Sequence, residues 1–560
     1  LHADRPRICV LFHQKYWLVH NTAGIDGLLK SFERFDADVL PIFVVSHANP
    51  IIGSIGLPAL VRKYLIRDGK PVVDVIVNTM SFSQTLISNP GDGVQVSDDQ
   101  FFVDLGIPVL QASTLYCNVD EWKRSPQGMG AADIAMSIIN PEFDGQIDMV
   151  PFSGTGADST GALRNIPIPD RCDMIAESAY RWAKLKHIPN SGRKVAILVY
   201  MYPPRQDLAA GGYGLDTPES VASVLKSMSA AGYTLDWVPE NGRELMDRLL
   251  EGVTNDNDWM SDEQMRKVAV DLVTPKQYME WFSEIAESAR KRYVECWGDA
   301  PGDQHVLDGN LLLPGILDGN VFVGFQPDRG KCTTEAIHDP YNAPPHQYLA
   351  FYRWLRDVWG ADAVIHVGTH GTLEWLPGKG AGLSSECDPD IVLGCIPNIN
   401  PYIIDNPGEG MQAKRRSYAV VTTHMIPAMT RSGGYREMDE LEDAVQAFIK
   451  AREQDQGAKL RPIIENVIRI ARDMNMLHDM DLPDDCTVEQ MEGCADRLYD
   501  YVLEAKDAMI KDGLHVLGEV PDGQRMDETV YSLVRYANGM VPSIRQSVAD
   551  AFGLEMNDLV

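Results

Sequence analysis

Residues 363–379 read Ala363-Val-Ile-His-Val-Gly-Thr-His-Gly-Thr-Leu-Glu-Trp-Leu-Pro-Gly-Lys379. The apolar run Ala363–Val367 predicts a short buried strand, and Gly368–Gly371 predicts a turn just beyond its carboxyl end. In α/β sheets, ligands bind beyond the carboxyl ends of the strands, where such glycine-rich loops lie. This stretch therefore predicts an α/β fold with a ligand site around the turn.

Strand-like and helix-like segments alternate upstream of this stretch, which is typical of parallel βαβ units. The predicted strands are Ile8–Phe12, Val39–Val45, Val73–Asn78 and Ile107–Leu110, and the predicted helices are Gly24–Phe35 and Ala131–Ile139. A weak repeat relates the segments from Ile8–Leu11 to Val39–Pro41 to the segments from Val195–Leu198 to Trp237–Pro239. In the second copy, Asp216–Glu219 predicts a helix start. The sequence therefore predicts two related α/β copies, with coincidence as the open alternative.

Downstream of Tyr435 the apolar residues recur at three- and four-residue spacing, which predicts helices. These are Met438–Arg452, Leu460–Met476, Val488–Asp512 and Glu528–Ala537. The predicted organisation is multi-domain. It comprises an N-terminal α/β domain at 1–190, a second α/β unit at 191–304, a Gly-, Pro- and His-rich central region at 305–434, and a mainly helical region at 435–560.

The composition narrows the possible functions. The 560 residues include 80 acidic and 50 basic ones, a net charge of −30 that disfavours nucleic acid and anionic lipid as partners. The nine cysteines form no Cys-x-x-Cys pair, which argues against a zinc ribbon or an iron–sulfur cluster and favours a reducing, cytoplasmic location. No apolar run is long enough to span a bilayer. Because residue 1 is Leu, the chain is expected to be a fragment or a processed product.

Three side chains of the opening stretch could carry chemistry: His366, His370 and Glu374. Two imidazoles and a carboxylate could bind Co²⁺ or Zn²⁺, or accept protons. The spacing is not that of a zincin helix, and the chain has no Walker motif, so we expect that it does not bind ATP itself. The alternative is that the histidines only bond to backbone groups and cap the loop.

Polar groups also flank the stretch on both sides, at His346 upstream and at Glu409, Lys414, Arg415 and Arg416 downstream. The basic residues could hold carboxylates of a ligand. They could equally form the solvated face of a helix.

Four motifs resemble one known family. They are His366–Lys379, Asn406-Pro-Gly-Glu-Gly-Met-Gln-Ala-Lys-Arg-Arg416, Pro344-Pro-His-Gln-Tyr-Leu-Ala-Phe-Tyr-Arg-Trp-Leu-Arg356 and Asn320-Val-Phe-Val-Gly-Phe-Gln-Pro-Asp-Arg329. Together they closely resemble the family of CobN and the large magnesium-chelatase subunit, over most of residues 1–440 and more weakly beyond. Members of that family are much longer, so the substrate cleft is expected to be incomplete here.

This resemblance implies the large, tetrapyrrole-binding subunit of an ATP-dependent metal chelatase, a ligase that forms nitrogen–metal bonds. Leu-Glu-Trp-Leu-Pro-Gly-Lys and Asn-Pro-Gly-Glu-Gly look more like CobN, which implies Co²⁺ and a corrin precursor in cobalamin biosynthesis. The alternatives are Mg²⁺ insertion into protoporphyrin and a tetrapyrrole carrier or sensor without chelation. A metal-dependent hydrolase is a further hypothesis, which would require tightly bound zinc.

The chemistry of metal insertion, with two pyrrole protons to remove and a hydrated metal to deliver, leads to hypothetical roles for the quoted residues, and the resemblance implies the partners. Glu374 and His370 are expected to accept protons or deliver the metal, with His366 as a second, transient metal ligand. Ring substituents are expected to be bound by His346, Glu409, Lys379, Arg415 and Arg416. The energy is expected to come from separate AAA+ ATPase subunits, which hydrolyse the ATP.

Overall fold

The structure is a computed structural model. It describes residues 2, 4–45, 47–83, 86–89, 93–96, 101–158, 160–201, 210, 212–255, 261–330, 339–431, 436–453, 457–474, 476–480, 482–483, 485–507, 509–512, 514–539 and 541–555. The chain divides into two compact units. The first comprises residues 1–425 and 516–518, and the second comprises residues 426–515 and 519–560.

The first unit begins with a six-stranded sheet, here called the N-terminal sheet. Its spatial order is Leu163–Pro167, Ile147–Ala157, Val109–Asn118, Val75–Asn78, Arg7–His13 and Asp38–Val44. All neighbours are parallel except Leu163–Pro167, which is antiparallel to Ile147–Ala157. Residues Ile8–Leu11 are fully buried, because both faces of a parallel sheet are covered. Helices Ala23–Phe32 and Pro169–Leu185 pack on one face.

A second six-stranded sheet, here called the central sheet, carries the opening stretch. Its order is Ile316–Asp318, Val321–Phe325, Val195–Val199, Ala363–Val367, Asn398–Ile403 and Ala419–His424. Only Ile316–Asp318 is antiparallel. The chain places Val321–Phe325 on one side of Val195–Val199 and Ala363–Val367 on the other. The strand order therefore reverses there, the point at which open α/β sheets bind ligands.

Helices and short strands complete the first unit. The helix predicted to start at Asp216 is confirmed as Thr217–Ala230, and the Asp216 side chain accepts a hydrogen bond from the Glu219 N–H at 3.0 Å. The other helices are Gln14–Leu18, Gly56–Leu60, Phe101–Leu105, Val119–Arg124, Ala131–Ile134, Asn140–Phe143, Gly242–Leu250, Asp262–Val268, Pro275–Glu284, Glu287–Trp297, His346–Arg353, Asp388–Leu393 and Pro407–Arg416. Short strands are Ile66–Arg67, Lys70–Pro71, Leu86–Asn89, Gly93–Val96, Asp271–Val273, Val306–Leu307 and Asn310–Leu313.

The second unit is mainly helical. Its helices are Arg436–Glu453, Gly457–Asp473, Met476–Asp479, Val488–Asp507, Gly523–Val534 and Ile544–Phe552, around a core that includes Phe448, Val467 and Leu498. The predicted helix Val488–Asp512 ends earlier, because Met509–Asp512 is a strand that pairs antiparallel with Ala428–Arg431. Strand pairing between segments that are distant in sequence outweighs the local helical spacing here.

The predicted α/β class, with parallel sheets and helices, is confirmed. Residues 191–304 and 305–434, which are separate in the predicted organisation, contribute strands to the same central sheet. Across the described residues, no helix combines the length and the apolar character that a membrane crossing requires.

Candidate active site at the carboxyl ends of the central sheet

The loop after Ala363–Val367 runs over the carboxyl ends of the neighbouring strands. Tyr200 follows one adjacent strand and Gln326 follows the next. Gly368 has a φ of +150°, and a Cβ added there would lie 2.5 Å from the Cβ of Tyr200. Only glycine therefore lets the loop turn this closely past the neighbouring strand.

Glu374 is the most unusual side chain of the loop. It lies on a single helical turn, Leu373–Trp375, and is 1% exposed. Neither of its carboxylate oxygens has a hydrogen-bond partner within the described residues. Burial raises the pKa of Glu374 above its ordinary value, while the nearby His370 acts in the opposite direction. A buried carboxyl group without partners is costly, so it indicates a site that is built for a ligand or for proton transfer.

His370 lies beside this carboxyl group and is also buried. Its Nδ1 donates a hydrogen bond to the carbonyl oxygen of Gly371 at 2.6 Å, so Nδ1 carries a proton. The ring packs against Tyr200, with centroids 5.2 Å apart, and against Trp375, with centroids 6.0 Å apart. These contacts fix the ring plane and its tautomer together.

His366 is held differently, because both of its ring nitrogens are hydrogen-bonded. Nδ1 donates to Oδ1 of Asn398 at 2.8 Å, and Nε2 accepts from the hydroxyl of Tyr352 at 2.8 Å. The Nδ2 of Asn398 donates to the carbonyl oxygen of Ser417, which fixes the amide orientation. Burial lowers the pKa of His366 to about 4, so the ring is neutral at neutral pH.

A buried hydrogen-bond network connects His366 to the loop that carries Glu374. Nε2 of Gln326 donates to the hydroxyls of Tyr352 and Tyr348, at 2.8 and 3.1 Å. Its Oε1 accepts from the Thr372 N–H at 3.1 Å, and the hydroxyls of Tyr348 and Thr372 are 2.7 Å apart. Around Gly371, a Cβ would lie 3.3 Å from Oε2 of Glu374, 3.7 Å from Nε2 of Gln326 and 3.8 Å from Cδ2 of His366. The network thus ends directly beside the Glu374 carboxylate.

Two buried guanidinium groups hold the turn from the other side. Arg416 donates to the carbonyl oxygens of Glu374, at 2.9 Å, and of Leu376. Arg329 donates to the carbonyl oxygen of Trp375 at 3.3 Å. Three consecutive carbonyl groups are therefore bonded to arginine, which fixes the backbone that presents Glu374.

The remaining predicted site residues, apart from Arg416, have separate surroundings. Glu409 is half-buried in the first turn of helix Pro407–Arg416, where its Oε2 accepts from the Tyr402 hydroxyl at 2.8 Å. Burial is the largest cause of the raised pKa of Glu374, and the charge of Glu409 raises that pKa further. His346 lies among aromatic rings elsewhere, with Nε2 donating to the Gly298 carbonyl and Nδ1 accepting from the Tyr278 hydroxyl. Arg415 forms a two-pronged ion pair with Glu142 at 2.8 and 3.2 Å.

Lys379 is buried against the N-terminal part of the first unit. Its Nζ donates to the carbonyl oxygens of Trp122, Lys123 and Ser125, at 2.9, 3.0 and 2.6 Å. Three acceptors use all three of its N–H groups. The predicted anchoring of ring substituents by Lys379 therefore cannot use direct hydrogen bonds while these contacts persist.

No group of three His, Cys, Asp or Glu side chains within the described ranges is arranged to hold a metal ion. His366, His370 and Glu374 thus do not form a ready ligand set, because Tyr352 and Asn398 occupy the nitrogens of His366. His370 and Glu374 are near enough for His370 to act on the pKa of Glu374.

A family model described as CobN/Magnesium Chelatase matches residues 1–560. The chain belongs to the CobN/magnesium chelatase family. The aerobic cobaltochelatase subunit CobN of Pseudomonas aeruginosa is 35% identical over 569 residues, which cover 100% of this chain and 44% of that protein. A magnesium-chelatase subunit from Chlorobaculum parvum is 30% identical over 526 residues, which cover 92% of this chain and 38% of that protein.

A solved structure shares the fold. The catalytic subunit of cobaltochelatase from Mycobacterium tuberculosis matches 98% of this chain and 46% of its own, with a TM-score of 0.78 and 30% identity. This chain thus spans less than half of the length of these CobN/magnesium chelatase relatives.

Several residues of the site in this family member were not singled out from the sequence, namely Tyr200, Gln326, Arg329, Tyr348, Tyr352, Thr372 and Asn398. Gln326 and Tyr200 had a usable signal, since each is a polar residue directly after a fully buried apolar strand. Tyr348 and Tyr352 had a weaker one, a spacing of four that puts both hydroxyls on one side of helix His346–Arg353.

Proposed function

We propose that this chain is part of the large, tetrapyrrole-binding subunit of an ATP-dependent metal chelatase. The observation that carries the proposal is Glu374, a buried carboxyl group without hydrogen-bond partners among the described residues, close enough to His370 for that residue to act on its pKa. Metal insertion requires that two pyrrole N–H protons be removed and that the metal lose its water. An unpaired carboxylate and an imidazole suit these two tasks.

Glu374 acts as the proton acceptor. Its pKa is raised by burial, so the carboxylate is a stronger base than an exposed one. His370 passes the metal to the ring as a transient ligand, or accepts the second proton. His366, whose nitrogens are both occupied, positions the loop through Tyr352 and Gln326 and does not bind the metal directly.

The substrate metal in this proposal is Co²⁺ and the ring is a corrin precursor, as in cobalamin biosynthesis. The support is the Leu-Glu-Trp-Leu-Pro-Gly-Lys379 motif and the 35% identity to a cobaltochelatase subunit, against 30% to a magnesium-chelatase subunit. Insertion of Mg²⁺ into protoporphyrin is the alternative within the same family.

The proposal also assigns ATP hydrolysis to separate AAA+ subunits. Both carboxylate oxygens of Glu374 are shielded from solvent in this conformation, so a substrate reaches them only after the loop or its surroundings move. Nucleotide-driven reshaping by a partner would supply that movement.

The deciding experiment compares wild type with Glu374→Gln, an isosteric change that removes the base. The full-length protein, its ATPase partners and ATP are given a metal-free corrin precursor or protoporphyrin, with Co²⁺ or Mg²⁺. We expect insertion to fall by about 10²–10⁴-fold in the variant, while ring binding, followed by fluorescence, stays unchanged. Glu251→Gln, an exposed position, serves as the control.

Two outcomes would contradict the proposal. Unchanged insertion by Glu374→Gln would remove this residue from the chemistry. Tight ring binding without insertion of either metal by the wild type would instead indicate a tetrapyrrole carrier.

A further inference from the structure

A cavity of about 750 Å³ lies beside the segment that follows Leu373–Trp375, the turn that carries Glu374 and is called here the catalytic turn. Its size is within the range of about 300–1,000 Å³ that ligand pockets have. Four cationic residues line it: Lys123, Arg292, Lys379 and Arg416. We call it the cationic cavity.

Two of these cations are buried without a directly bonded carboxylate among the described residues. Lys379 is 7% exposed and Arg416 is 4% exposed, and within the described part of the chain neither forms an ion pair. Their donors bond to neutral carbonyl groups, which satisfy hydrogen bonds but do not cancel charge. Burial accordingly lowers the pKa of both groups. Because buried charges in proteins are usually paired, these two indicate that an anion belongs in the cavity.

The other two cations can reach a ligand directly. Lys123 is exposed at the rim, and it too forms no ion pair with any described residue. Arg292 is half-buried; its Nη2 donates to Oδ1 of Asp388 at 2.9 Å, while its Nε has no partner within the described ranges.

Two carboxylates, Asp170 and Glu386, also line the cavity, and both are already engaged. Asp170 pairs with Arg171 at 3.0 Å, and Glu386 accepts from the Ser288 hydroxyl at 3.0 Å. The lining therefore keeps an excess of positive charge in a chain whose net charge is −30. Such a local reversal of sign attracts the anionic groups of a ligand.

We propose that the cationic cavity binds carboxylate side chains of the tetrapyrrole, with Lys123 and Arg292 in contact and Lys379 and Arg416 supplying a fixed positive potential. This assignment deepens the proposed function and rests on it for the identity of the ring. Arg416 also joins the cavity to the reaction site, since the same guanidinium group bonds to the carbonyl oxygen of Glu374. Carboxylate binding would therefore act directly on the residue that holds the catalytic turn.

The test uses porphyrin probes and the full-length protein, without metal, ATP or partners. Uroporphyrin carries carboxylates on all of its substituents, whereas mesoporphyrin has alkyl groups in place of most of them. We expect Lys123→Glu to weaken uroporphyrin binding by about tenfold and mesoporphyrin binding much less, as measured by quenching of protein fluorescence. Raising the salt concentration is expected to weaken uroporphyrin binding to the wild type. It should also narrow the difference in uroporphyrin affinity between wild type and Lys123→Glu.

Lys30→Glu provides the matched control, because Lys30 is likewise an exposed lysine, on helix Ala23–Phe32 and outside the cavity. Equal affinities of wild type and Lys123→Glu for uroporphyrin would overturn the assignment. Equal losses of uroporphyrin affinity in Lys123→Glu and Lys30→Glu would overturn it as well. Since no metal is inserted in this assay, its failure is distinct from a failure of the role proposed for Glu374.

Discussion

Asp148 is an acid that the fold keeps inside the N-terminal sheet. It has a φ of +51°, and its Oδ2 accepts from the Trp182 indole at 3.3 Å, while Oδ1 has no partner among the described residues. Burial raises the pKa of Asp148 from 3.8 to about 7. The protonated form is thus favoured in the folded state, and ionisation opposes folding.

The pH dependence of Asp148 has a definite sign. Because the folded pKa is above the unfolded one, its contribution to stability is complete below about pH 4 and is lost as pH rises through 7. Asp148→Asn keeps the shape, tolerates the positive φ and cannot ionise. We expect the variant to be more stable than wild type by about 4 kcal/mol at pH 8, with little difference at pH 4. Urea unfolding at the two pH values measures this difference.

Asp158→Asn is the opposing control for this measurement. Hydrogen bonds from Thr160 lower the pKa of Asp158 to about 2, so its contribution to stability is present at neutral pH. The variant should therefore be less stable than wild type at pH 8. A pH-independent effect of Asp148→Asn would show that Asp148 is ionised in the fold.

At this same scale, the sequence predicted which residues share the loop better than it predicted their contacts. Glu374 and His370 lie in one short stretch after a strand, so their proximity was predictable, while their roles stay predictions. The bonds of Lys379 to carbonyl groups of residues 122–125 could not be read from the sequence, because no local pattern specifies which distant backbone a long side chain reaches. A conspicuous lysine next to the loop of the candidate site was thus predicted as a ligand contact, whereas its described contacts are with the protein.

At the scale of elements, the turn after Ala363–Val367 depends on Gly368. We expect Gly368→Ala to lower the free energy of unfolding by about 1–3 kcal/mol, because a methyl group at a φ of +150° is strained and would lie 2.5 Å from the Cβ of Tyr200. Under the proposed function, metal-insertion activity should fall by more than the loss of folded protein accounts for, because the same turn leads to His370 and Glu374.

Gly408→Ala is the matched glycine control for the turn. A Cβ there meets no atom within 4 Å, and the residue lies in helix Pro407–Arg416. This variant should be neutral or more stable by up to about 1 kcal/mol. If both variants behaved alike in urea unfolding and insertion assays, the close approach to Tyr200 would not control the turn.

The core strands were predictable because their apolar runs are local. Ile8–Phe12 and Val39–Val45 were predicted to within a few residues of Arg7–His13 and Asp38–Val44. The strand Met509–Asp512 was wrongly assigned to a helix, since its partner Ala428–Arg431 is far away in sequence. Pairing decides such segments, and one sequence without its contacts does not reveal the pairing.

At the scale of the first unit, a buried ion pair ties the two large sheets together. Arg171, on helix Pro169–Leu185 against the N-terminal sheet, bonds to Asp390, on helix Asp388–Leu393 beside the central sheet. Both side chains are about 5% exposed, and the Tyr418 hydroxyl also donates to Asp390 at 2.8 Å. Joining segments that are more than 200 residues apart, this pair could not be predicted from the sequence.

We expect the pair to behave as a coupled unit in a double-mutant cycle. Arg171→Met leaves Asp390 buried without a cationic partner and should cost about 3–5 kcal/mol of unfolding free energy. Asp390→Asn leaves the buried Arg171 with the more exposed Asp170 as its ion-pair partner, so it should cost less, about 1–3 kcal/mol. The double variant leaves neither of these buried charges, and Asn can still accept from Tyr418. Its loss should therefore be close to the larger of the two single losses, so that the coupling energy equals the smaller one, about 1–3 kcal/mol. Additive losses in urea unfolding would mean that the two residues stabilise their own sheets independently, and that the contact between the sheets is maintained by apolar packing instead.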